Sequence, residues 1–287
     1  MKKTVPTFCR VCEPSCGLLA EVEDERLLRL RPDDEHPVTR GFACHKGLGF
    51  TDVHHDPDRL NVPLSRTNAR TTAGEFRERS WDEVLPELAA ALRGIQQQHG
   101  PAAIAGYVGN PTAFNALGSQ ALTSFFAQLG CQRMFSSGTQ DCSNKFAGSE
   151  AVFGTSTLHP VPDLEHTHYA LIFGENPKVS HMSFMSTPDP MGKLRAAEQR
   201  GATIRFVNPR RIESATVGEV VQVKPDTDLY FMAALLHELD AAGSFDDAVL
   251  AEHGSHVAGL RAFIAPYSAE HVASVVGVPA ATIRGIA

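Results

Sequence analysis

The stretch FCRVCEPSCG, residues 8–17, carries three cysteines, Cys9, Cys12 and Cys16. A fourth, Cys44, follows after a gap of 27 residues. Disulfide frameworks belong mostly to small secreted proteins, and this chain of 287 residues is neither small nor visibly secreted. Metal binding is therefore the better interpretation of the four cysteines.

The spacing of these cysteines favours an iron–sulfur cluster over zinc. A structural zinc site usually takes two well-separated pairs of ligands, each pair with short internal spacing. Here three cysteines are local and one is distant, so one loop can wrap three corners of a 4Fe–4S cube while Cys44 closes the fourth. Zinc stays the minor alternative. Lys46, in the stretch ACHKG, is either a surface lysine or a functional cation beside the cluster.

The composition excludes some classes of function. Apolar residues make up 43% and charged residues 21% of the chain, as in ordinary globular proteins. The net charge of −7 offers no basic excess for nucleic-acid phosphates, so no nucleic-acid partner is expected. No run approaches the roughly 20 apolar residues of a membrane span. The first ten residues, MKKTVPTFCR, contain no apolar signal segment and no twin arginine, which predicts a cytoplasmic location.

The order of predicted elements indicates an α/β fold. The runs GLLAEVED and RLLRLRP near the N-terminus predict a β-hairpin. A capping box at Ser80 and Glu83 opens a helix whose apolar residues Val84, Leu88, Leu92 and Ile95 share one face. Predicted strands at 102–108 and 168–174, and in ATIRFVNP and EVVQVKP, then alternate with predicted helices at 112–129, at 142–152 and in DLYFMAALLHELDAA. This alternation is typical of a largely parallel sheet.

The motifs together resemble one family. Cys-x2-Cys-x3-Cys-Gly, followed at a distance by Cys-x-Lys-Gly, is similar to the N-terminus of the molybdopterin oxidoreductases. These are the bis-molybdopterin guanine dinucleotide enzymes that include formate dehydrogenases, periplasmic nitrate reductases and acetylene hydratase. Further stretches resemble family motifs in the same chain order: HHDPDRLNVPL, RSWDEVLPELA, GENPKVSH, VNPRRIESA and VKPDTDL.

The resemblance implies a fold and a set of domains. A small N-terminal iron–sulfur β-rich domain would occupy residues 1–57. The first part of a discontinuous α/β domain would follow at 58–135, and a Rossmann-like dinucleotide-binding α/β domain at 136–287. Members of the family are considerably longer, so the second half of the protein is expected to lie beyond these residues. The segment by itself is expected to expose apolar sheet surface.

The resemblance also implies roles for individual residues. Cys9, Cys12, Cys16 and Cys44 would hold the 4Fe–4S cluster, and Lys46 would lie between the cluster and a pterin. A cation there would stabilise added electron density on either side. The cofactor, molybdopterin guanine dinucleotide with molybdenum or tungsten, would be bound at the carboxyl ends of strands. The residues implied in that binding are Asn176, Pro177, His181, Asn208, Arg210, Arg211 and Asp228.

Three positions depart from the family pattern. Asn208 replaces the usual Asp of the second motif, and Asp226 replaces the usual Gly before Thr227. Thr139 replaces an arginine that often stands two residues before the protein ligand of the metal, so the formate or nitrate signature is absent.

The protein ligand to molybdenum or tungsten is expected in GTQDCSNKFAGSEAVFG, residues 138–154. Cys142 is a good ligand because thiolate is soft. In the formate and nitrate enzymes, however, the ligand stands thirteen residues before the glycine that ends this helix. Counting back from Gly154 gives Asp141. Asp141 is therefore preferred, Cys142 is the alternative, and a helix cap with no metal role is the third interpretation.

The expected function is oxygen-atom or hydride transfer on a small-molecule substrate at a Mo/W centre. Asp141 or Cys142 and Lys46 would be the catalytic residues, and the cluster would pass electrons to a redox partner protein or electron carrier. Two alternatives stay open. One is a non-catalytic iron–sulfur electron-transfer subunit on the same fold, and the other is an incomplete chain that binds only the cluster.

Overall fold

The computed structural model describes residues 1–287, which form two compact units, Met1–Val161 and Pro162–Ala287. The first unit contains all six cysteines, and the second contains a three-stranded parallel sheet. The mixed α/β character of both units confirms the predicted fold class. The finer division into segments 1–57, 58–135 and 136–287 stays a prediction.

An antiparallel sheet begins the first unit. Its strands are β1 (Lys2–Phe8), β2 (Gly17–Glu23) and β3 (Arg26–Pro32), in that order. The predicted hairpin is β2–β3, which turns through Asp24 and Glu25 at φ 46° and 65°; β1 was not predicted. The register pairs Phe8 with Gly17, so residues 9–16, here called the cysteine loop, close one end of the sheet.

The rest of the first unit is built from short elements. In chain order they are α1 (His45–Leu48), α2 (Phe50–His54), β4 (Leu64–Arg66), β5 (Phe76–Glu78), α3 (Trp81–His99), β6 (Gly106–Val108), α4 (Ala116–Gln128), β7 (Met134–Ser136), α5 (Gly138–Asp141) and α6 (Ser143–Phe153). β4 and β5 form an antiparallel pair that was not predicted from the sequence. β6 and β7 pair in parallel, as an α/β fold requires.

Helix α3 begins at the predicted capping box. Ser80 Oγ accepts a hydrogen bond from Glu83 N at 3.3 Å, and Glu83 Oε2 accepts one from Ser80 N at 2.8 Å. The two bonds satisfy backbone donors that the first helical turn leaves unpaired. No residue of α3 is buried, and Leu88 on its apolar face is 50% exposed. The amphipathic face that the sequence predicts is therefore present but mostly uncovered within the first unit.

Two predicted elements begin later than expected, and proline is the reason in both. The predicted strand 102–108 opens as a 3₁₀ turn, Pro101–Ala103, and only Gly106–Val108 is extended. The predicted helix 112–129 likewise opens as a 3₁₀ turn, Asn110–Phe114, with proline in its first turn. Because proline fixes φ and lacks an N–H, it suits the start of a turn better than a strand interior.

The second unit packs helices around a parallel sheet. Its strands are β8 (Tyr169–Phe173), β9 (Thr203–Asn208) and β10 (Glu219–Gln222), and its helices are α7 (Pro177–Ser180), α8 (Pro190–Gln199), α9 (Asp228–Ala241), α10 (Asp247–His253), α11 (Val257–Ile264), α12 (Ala269–Val276) and α13 (Ala280–Ile286). β9 lies between β8 and β10. The three strands were all predicted from their apolar runs.

The central strand β9 separates two apolar cores. Ile204 and Phe206 belong to a cluster with Leu194 of α8, and Val207 belongs to a second cluster with Phe231 of α9. Successive side chains of a strand point to opposite faces, so β9 supplies both cores at once. All five side chains are almost fully buried. This double burial holds the carboxyl ends of β8 and β9 at one edge of the sheet.

Candidate functional site

The cysteine loop folds back on itself between β1 and β2. Cys9 N donates to Cys16 O at 2.8 Å, and Ser15 N donates to Cys12 O at 3.2 Å. Ser15 sits in the left-handed region at φ 48°. Cys9 and Cys16 are buried and Cys12 is half-buried. These contacts place three thiols on one short turn whose ends are fixed by the antiparallel register.

The fourth cysteine is brought in by contacts to Gly17. Gly17 N donates to the fully buried Thr39 Oγ1 at 3.1 Å, and Gly17 O accepts from Asp33 N at 3.1 Å. The His36 ring lies so close to Gly17 that a Cβ there would collide with it. Only glycine therefore fits directly after Cys16. The loop that these bonds hold leads to Cys44 at the start of α1.

The four thiols are electrostatic neighbours. Burial, with the charges of Glu13, Cys16, Cys9 and Cys44 adding to it, raises the pKa of Cys12 to about 12. Burial, with Cys9 and Cys44 adding to it, raises the pKa of Cys16 to about 11. None of the six cysteines is in a disulfide. The raised pKa values of Cys9, Cys12 and Cys16 keep these thiols protonated at neutral pH, so they need a nearby positive charge to ionise together.

This donor set fits an iron–sulfur cluster. No three His, Cys, Asp or Glu side chains of the chain are grouped so that they could hold a single metal ion. A 4Fe–4S cube asks for a different arrangement, because its four cysteine thiolates surround a cluster of several irons instead of meeting at one ion. Four soft sulfur donors match that demand.

Lys46 lies beside the buried thiol of Cys9. Its positive charge lowers the pKa of Cys9, against the larger raising effect of burial. Helix α1 comes close to this thiol because it carries Gly47, where a Cβ would stand 3.1 Å from Cys9 Sγ. Lys46 itself is exposed, so its side chain is at the surface and its charge still reaches Cys9.

The segment after β7 presents Asp141 and buries part of Cys142. Asp141 ends α5 and lines an open cavity of about 660 Å³ with Tyr107, Ser137 and Thr139. Its carboxylate forms no hydrogen bond or ion pair, and it does not cap α6, whose first turn receives no side-chain cap. Cys142 is half-buried and does not line that cavity. Burial, and then the charge of Asp141, raise the pKa of Cys142.

In the second unit, the loop after β8 is tied to the loop after β9. Asn176 Oδ1 accepts from Ser214 Oγ at 2.7 Å and from Ser214 N at 3.2 Å, while Asn176 Nδ2 donates to Glu213 Oε2 at 2.6 Å. Ser214 Oγ also accepts from Lys178 N at 2.9 Å. Ser214 is fully buried. We call Asn176, Glu213 and Ser214 the loop clamp, and it occupies both polar ends of the Asn176 side chain.

The two neighbouring arginines have different partners. Arg210 donates to Glu213 at 2.8 and 3.3 Å, and together with Asn176 it lowers the pKa of Glu213 to about 2. Arg211 is exposed, and its side chain has no hydrogen-bond or ion-pair partner. Asn208 is 6% exposed and accepts from Arg210 N at 3.4 Å. Only Arg211 of the pair is left as an uncompensated cation at this edge.

The other residues predicted to bind the cofactor, Pro177, His181 and Asp228, also follow strands of the parallel sheet. Pro177 is buried at the first position of α7, and His181 follows that helix at φ 57°. Asp228 opens α9 after β10, and its half-buried carboxylate has no hydrogen-bond partner. Asp226 lies at φ 66°, in the left-handed region that glycine adopts freely and Asp tolerates. Its backbone explains why glycine would suit this position.

The comparisons with known proteins are consistent with this arrangement. Residues 2–55 match the Molybdopterin oxidoreductase Fe4S4 domain, and residues 59–272 match the Molybdopterin oxidoreductase family. The chain belongs to the molybdopterin oxidoreductase family. The two matches imply a 4Fe–4S cluster and a molybdopterin cofactor with molybdenum or tungsten.

Relatives of this molybdopterin oxidoreductase chain are longer than it is. It is 26% identical to a nitrate reductase of Symbiobacterium thermophilum, over 98% of this chain and 37% of the relative. It is 25% identical to formate dehydrogenase H of Escherichia coli, over 99% of this chain and 39% of the relative. The solved structure of acetylene hydratase from Pelobacter acetylenicus has the same fold, with a TM-score of 0.78, 20% identity, and coverage of 98% of this chain and 38% of that one.

The chain therefore spans less than two-fifths of the length of these relatives. No helix in it is both long enough and apolar enough to cross a bilayer.

Sequence reasoning missed several residues that build the site. Glu213 and Ser214 stand inside the motif VNPRRIESA, and His36 and Thr39 precede Cys44. Glu213, two residues after Arg211, was the available signal for a paired cation. Nothing in the sequence pointed from Thr39 to Gly17, because the two residues are 22 apart and separated by the β2–β3 hairpin and the loop that follows it.

Removing one hydroxyl should loosen the loop clamp. Ser214→Ala removes the hydroxyl hydrogen bond to Asn176 Oδ1 and leaves Lys178 N without its acceptor, which we expect to cost about 1–3 kcal/mol of local stability. The measurement is hydrogen exchange of the amides in 174–181 and 209–215. Ser244→Ala is the matched control, since Ser244 is exposed and its hydroxyl has no partner. Unchanged exchange in Ser214→Ala would show that the clamp does not hold the loops.

Proposed function

We propose that the full-length protein is a Mo/W bis-molybdopterin guanine dinucleotide oxidoreductase acting on a small molecule by oxygen-atom or hydride transfer. The observation that carries the proposal is the gathering of four cysteines outside any disulfide, two of them buried, near the charge of Lys46. When bound, the metal–pterin group supplies the redox chemistry, and the protein orients it and tunes it. A redox partner protein or electron carrier and a cytoplasmic location belong to the same proposal.

Cys9, Cys12, Cys16 and Cys44 would hold the cluster. The raised pKa values of Cys9, Cys12 and Cys16 mean that these three thiols keep their protons at neutral pH. Ligation needs thiolates, so cluster binding would release protons and would weaken as the pH falls. The buried backbone contacts of Gly17 hold the loops in place, so the thiols meet the cluster with little rearrangement.

Lys46 would act between the cluster and the pterin. Its charge already reaches Cys9, and a cation at that position favours extra negative charge on either neighbour. As an ammonium group it can donate up to three hydrogen bonds, so it can contact two partners at once. This supports the catalytic role that the family resemblance implies for it.

Asp141 is our candidate for the protein ligand of the metal. Its carboxylate is exposed to a cavity and uncommitted, whereas Cys142 is half-buried outside that cavity. Both geometry and the count from Gly154 therefore favour Asp141. Cys142 stays the alternative, because its thiolate would be a soft ligand for the metal.

The guanine dinucleotide would bind along the carboxyl edge of the parallel sheet. Arg211 offers the unpaired cation for a phosphate, and Asp228 offers an unpaired acceptor for guanine N–H groups. Asn208, Pro177, His181 and Arg210 complete the edge. Asn176 would act by holding the loop in shape, since the clamp uses its side chain.

Composition of the purified full-length protein tests the function. We expect about four irons per chain, together with molybdenum or tungsten and guanine nucleotide, by metal analysis and chromatography of the denatured protein. Cys16→Ala should lose the iron, because a cube with three protein thiolates is held less firmly. Iron without molybdenum, tungsten or guanine would instead indicate the electron-transfer subunit.

Substitution of each candidate ligand tests the metal site. In the full-length protein, Asp141→Ala should change the electron paramagnetic spectrum of the Mo or W centre, since its coordination changes. Cys142→Ala, one residue away, should leave that spectrum as it was. The reverse result would assign the metal to Cys142, and two unchanged spectra would remove both residues from the site.

The two adjacent arginines provide a matched pair for the nucleotide edge. Arg211→Ala should weaken retention of the guanine nucleotide about tenfold or more, because it deletes a charge-assisted hydrogen bond. Arg210→Ala should have a smaller effect, since Glu213 already occupies that guanidinium. The measurement is the guanine nucleotide lost from the full-length protein on dialysis. Equal losses from both variants would contradict the distinction drawn here.

A further inference from the structure

A second cavity lies beside the start of the cysteine loop. Its volume is about 670 Å³, and it is enclosed by the three-stranded sheet, the start of the cysteine loop and helix α2. Apolar side chains line most of it, including Phe8, Leu27 and Phe50, and Cys9 forms part of the wall. Cavities of this size with apolar and aromatic walls are typical of small-molecule sites.

The walls of this cavity are fixed by hydrogen bonds. His55 Nε2 donates to Leu27 O at 2.6 Å, which ties the end of α2 to β3. On the other side, Asn110 Nδ2 donates to Val11 O at 3.2 Å and holds the neighbouring 3₁₀ turn against the cysteine loop. The cavity is thus built by four separate stretches of chain. A preformed space of this kind binds a ligand without first ordering its own walls.

The charged residues in the lining are all cationic. Arg10 and Arg59 line the cavity, and no carboxylate does. Both arginines are exposed, and neither side chain forms a hydrogen bond or an ion pair. In a chain of net charge −7, with 33 acidic residues, two unpaired guanidinium groups at one apolar cavity are a local reversal of charge. Guanidinium groups bind carboxylate, sulfonate and phosphate oxygens through paired hydrogen bonds.

We propose that this cavity binds a planar aromatic anion, of the class that includes flavin phosphates and acidic quinones. The aromatic ring would lie between Phe8, Leu27 and Phe50, and the anionic group would meet Arg10 and Arg59. A protein partner is the less suitable occupant, since a stable protein interface buries about 1,200–2,000 Å² and the observed feature is one compact hollow. That the ligand would be an electron carrier rests on the proposed function, through the position of Cys9 in the wall.

The test uses the full-length protein and anthraquinone-2-sulfonate as the probe. Calorimetry should show saturable binding of one probe per chain. Arg59→Ala should weaken binding about tenfold or more, the loss of one charge-assisted hydrogen bond. Arg29→Ala is the matched control, because Arg29 is an exposed, unpaired arginine of β3 outside the cavity lining. It should leave the affinity unchanged.

A second variant fills the cavity without changing charge. Leu27→Trp should abolish binding, and a thermal melt compares its stability with that of the unaltered protein. If it fails to fold, Arg59→Ala against Arg29→Ala still decides. The proposal is overturned if the probe shows no saturable binding, which is also the result expected if another part of the protein fills the cavity. It is equally overturned if Arg29→Ala loses as much affinity for the probe as Arg59→Ala.

The outcome is separable from that of the proposed function. Bound probe should also perturb the electron paramagnetic signal of the cluster, because Cys9 lines the cavity. Binding that follows the variants in a protein without molybdenum, tungsten or guanine would uphold this site and refute the oxidoreductase. Absence of binding in a protein that carries all three would refute only this site.

Discussion

The packing around Gly17 is the constraint on which the N-terminal site depends. Its N–H and its carbonyl are both used to hold the loop that leads to Cys44, and the His36 ring occupies the space where a Cβ would lie. The same residue pairs with Phe8 in the sheet. One backbone position therefore joins the local group of three cysteines to the distant fourth. Without it, the four thiols would belong to two independent loops.

At Cys9, burial raises the pKa of the thiol and the positive charge of Lys46 lowers it. Removal from water keeps the thiols protonated, and each thiolate that forms makes the next one harder to form. Lys46 opposes this at Cys9 but is a single charge. Such a site has little tendency to ionise by itself and a strong tendency to do so when cationic iron arrives. The polypeptide thus positions the four cysteines, and the iron supplies the positive charge that lets their thiols ionise.

At the carboxyl edge of the parallel sheet, polar groups divide into those that hold the loops and those left over. In the loop clamp, the side chains of Asn176, Glu213 and Ser214 form hydrogen bonds with one another. Glu213 also accepts hydrogen bonds from Arg210. Arg211 and Asp228 are left over, one cationic and one anionic. Under the proposed function, loop rigidity and ligand contact would be separate tasks of adjacent residues. A substitution at either kind of position would then reduce cofactor binding, but only one kind would also loosen the loops.

Much of the fold followed from local patterns. The parallel strands of the second unit were predicted because apolar runs of strand length alternate with segments of helical periodicity. Helix α3 was predicted because its capping box lies within four consecutive residues. The late starts of β6 and α4 were missed, since proline-initiated turns compete with the flanking pattern. Strand β1 was missed because none of its residues is buried, so its sequence carries little alternation.

The sequence by itself determined the chemistry available to this protein: four cysteines at cluster spacing, a lysine beside the last, and the family that these motifs mark. Only the tertiary structure decided which of two residues adjacent in sequence is already paired or buried and which is available to a ligand. Arg210 is paired while Arg211 is not, Asp141 faces a cavity while Cys142 is half-buried, and Asn176 bonds to a serine 38 residues away. The reason is that residues adjacent in sequence share composition but not direction, and their partners come from distant parts of the chain.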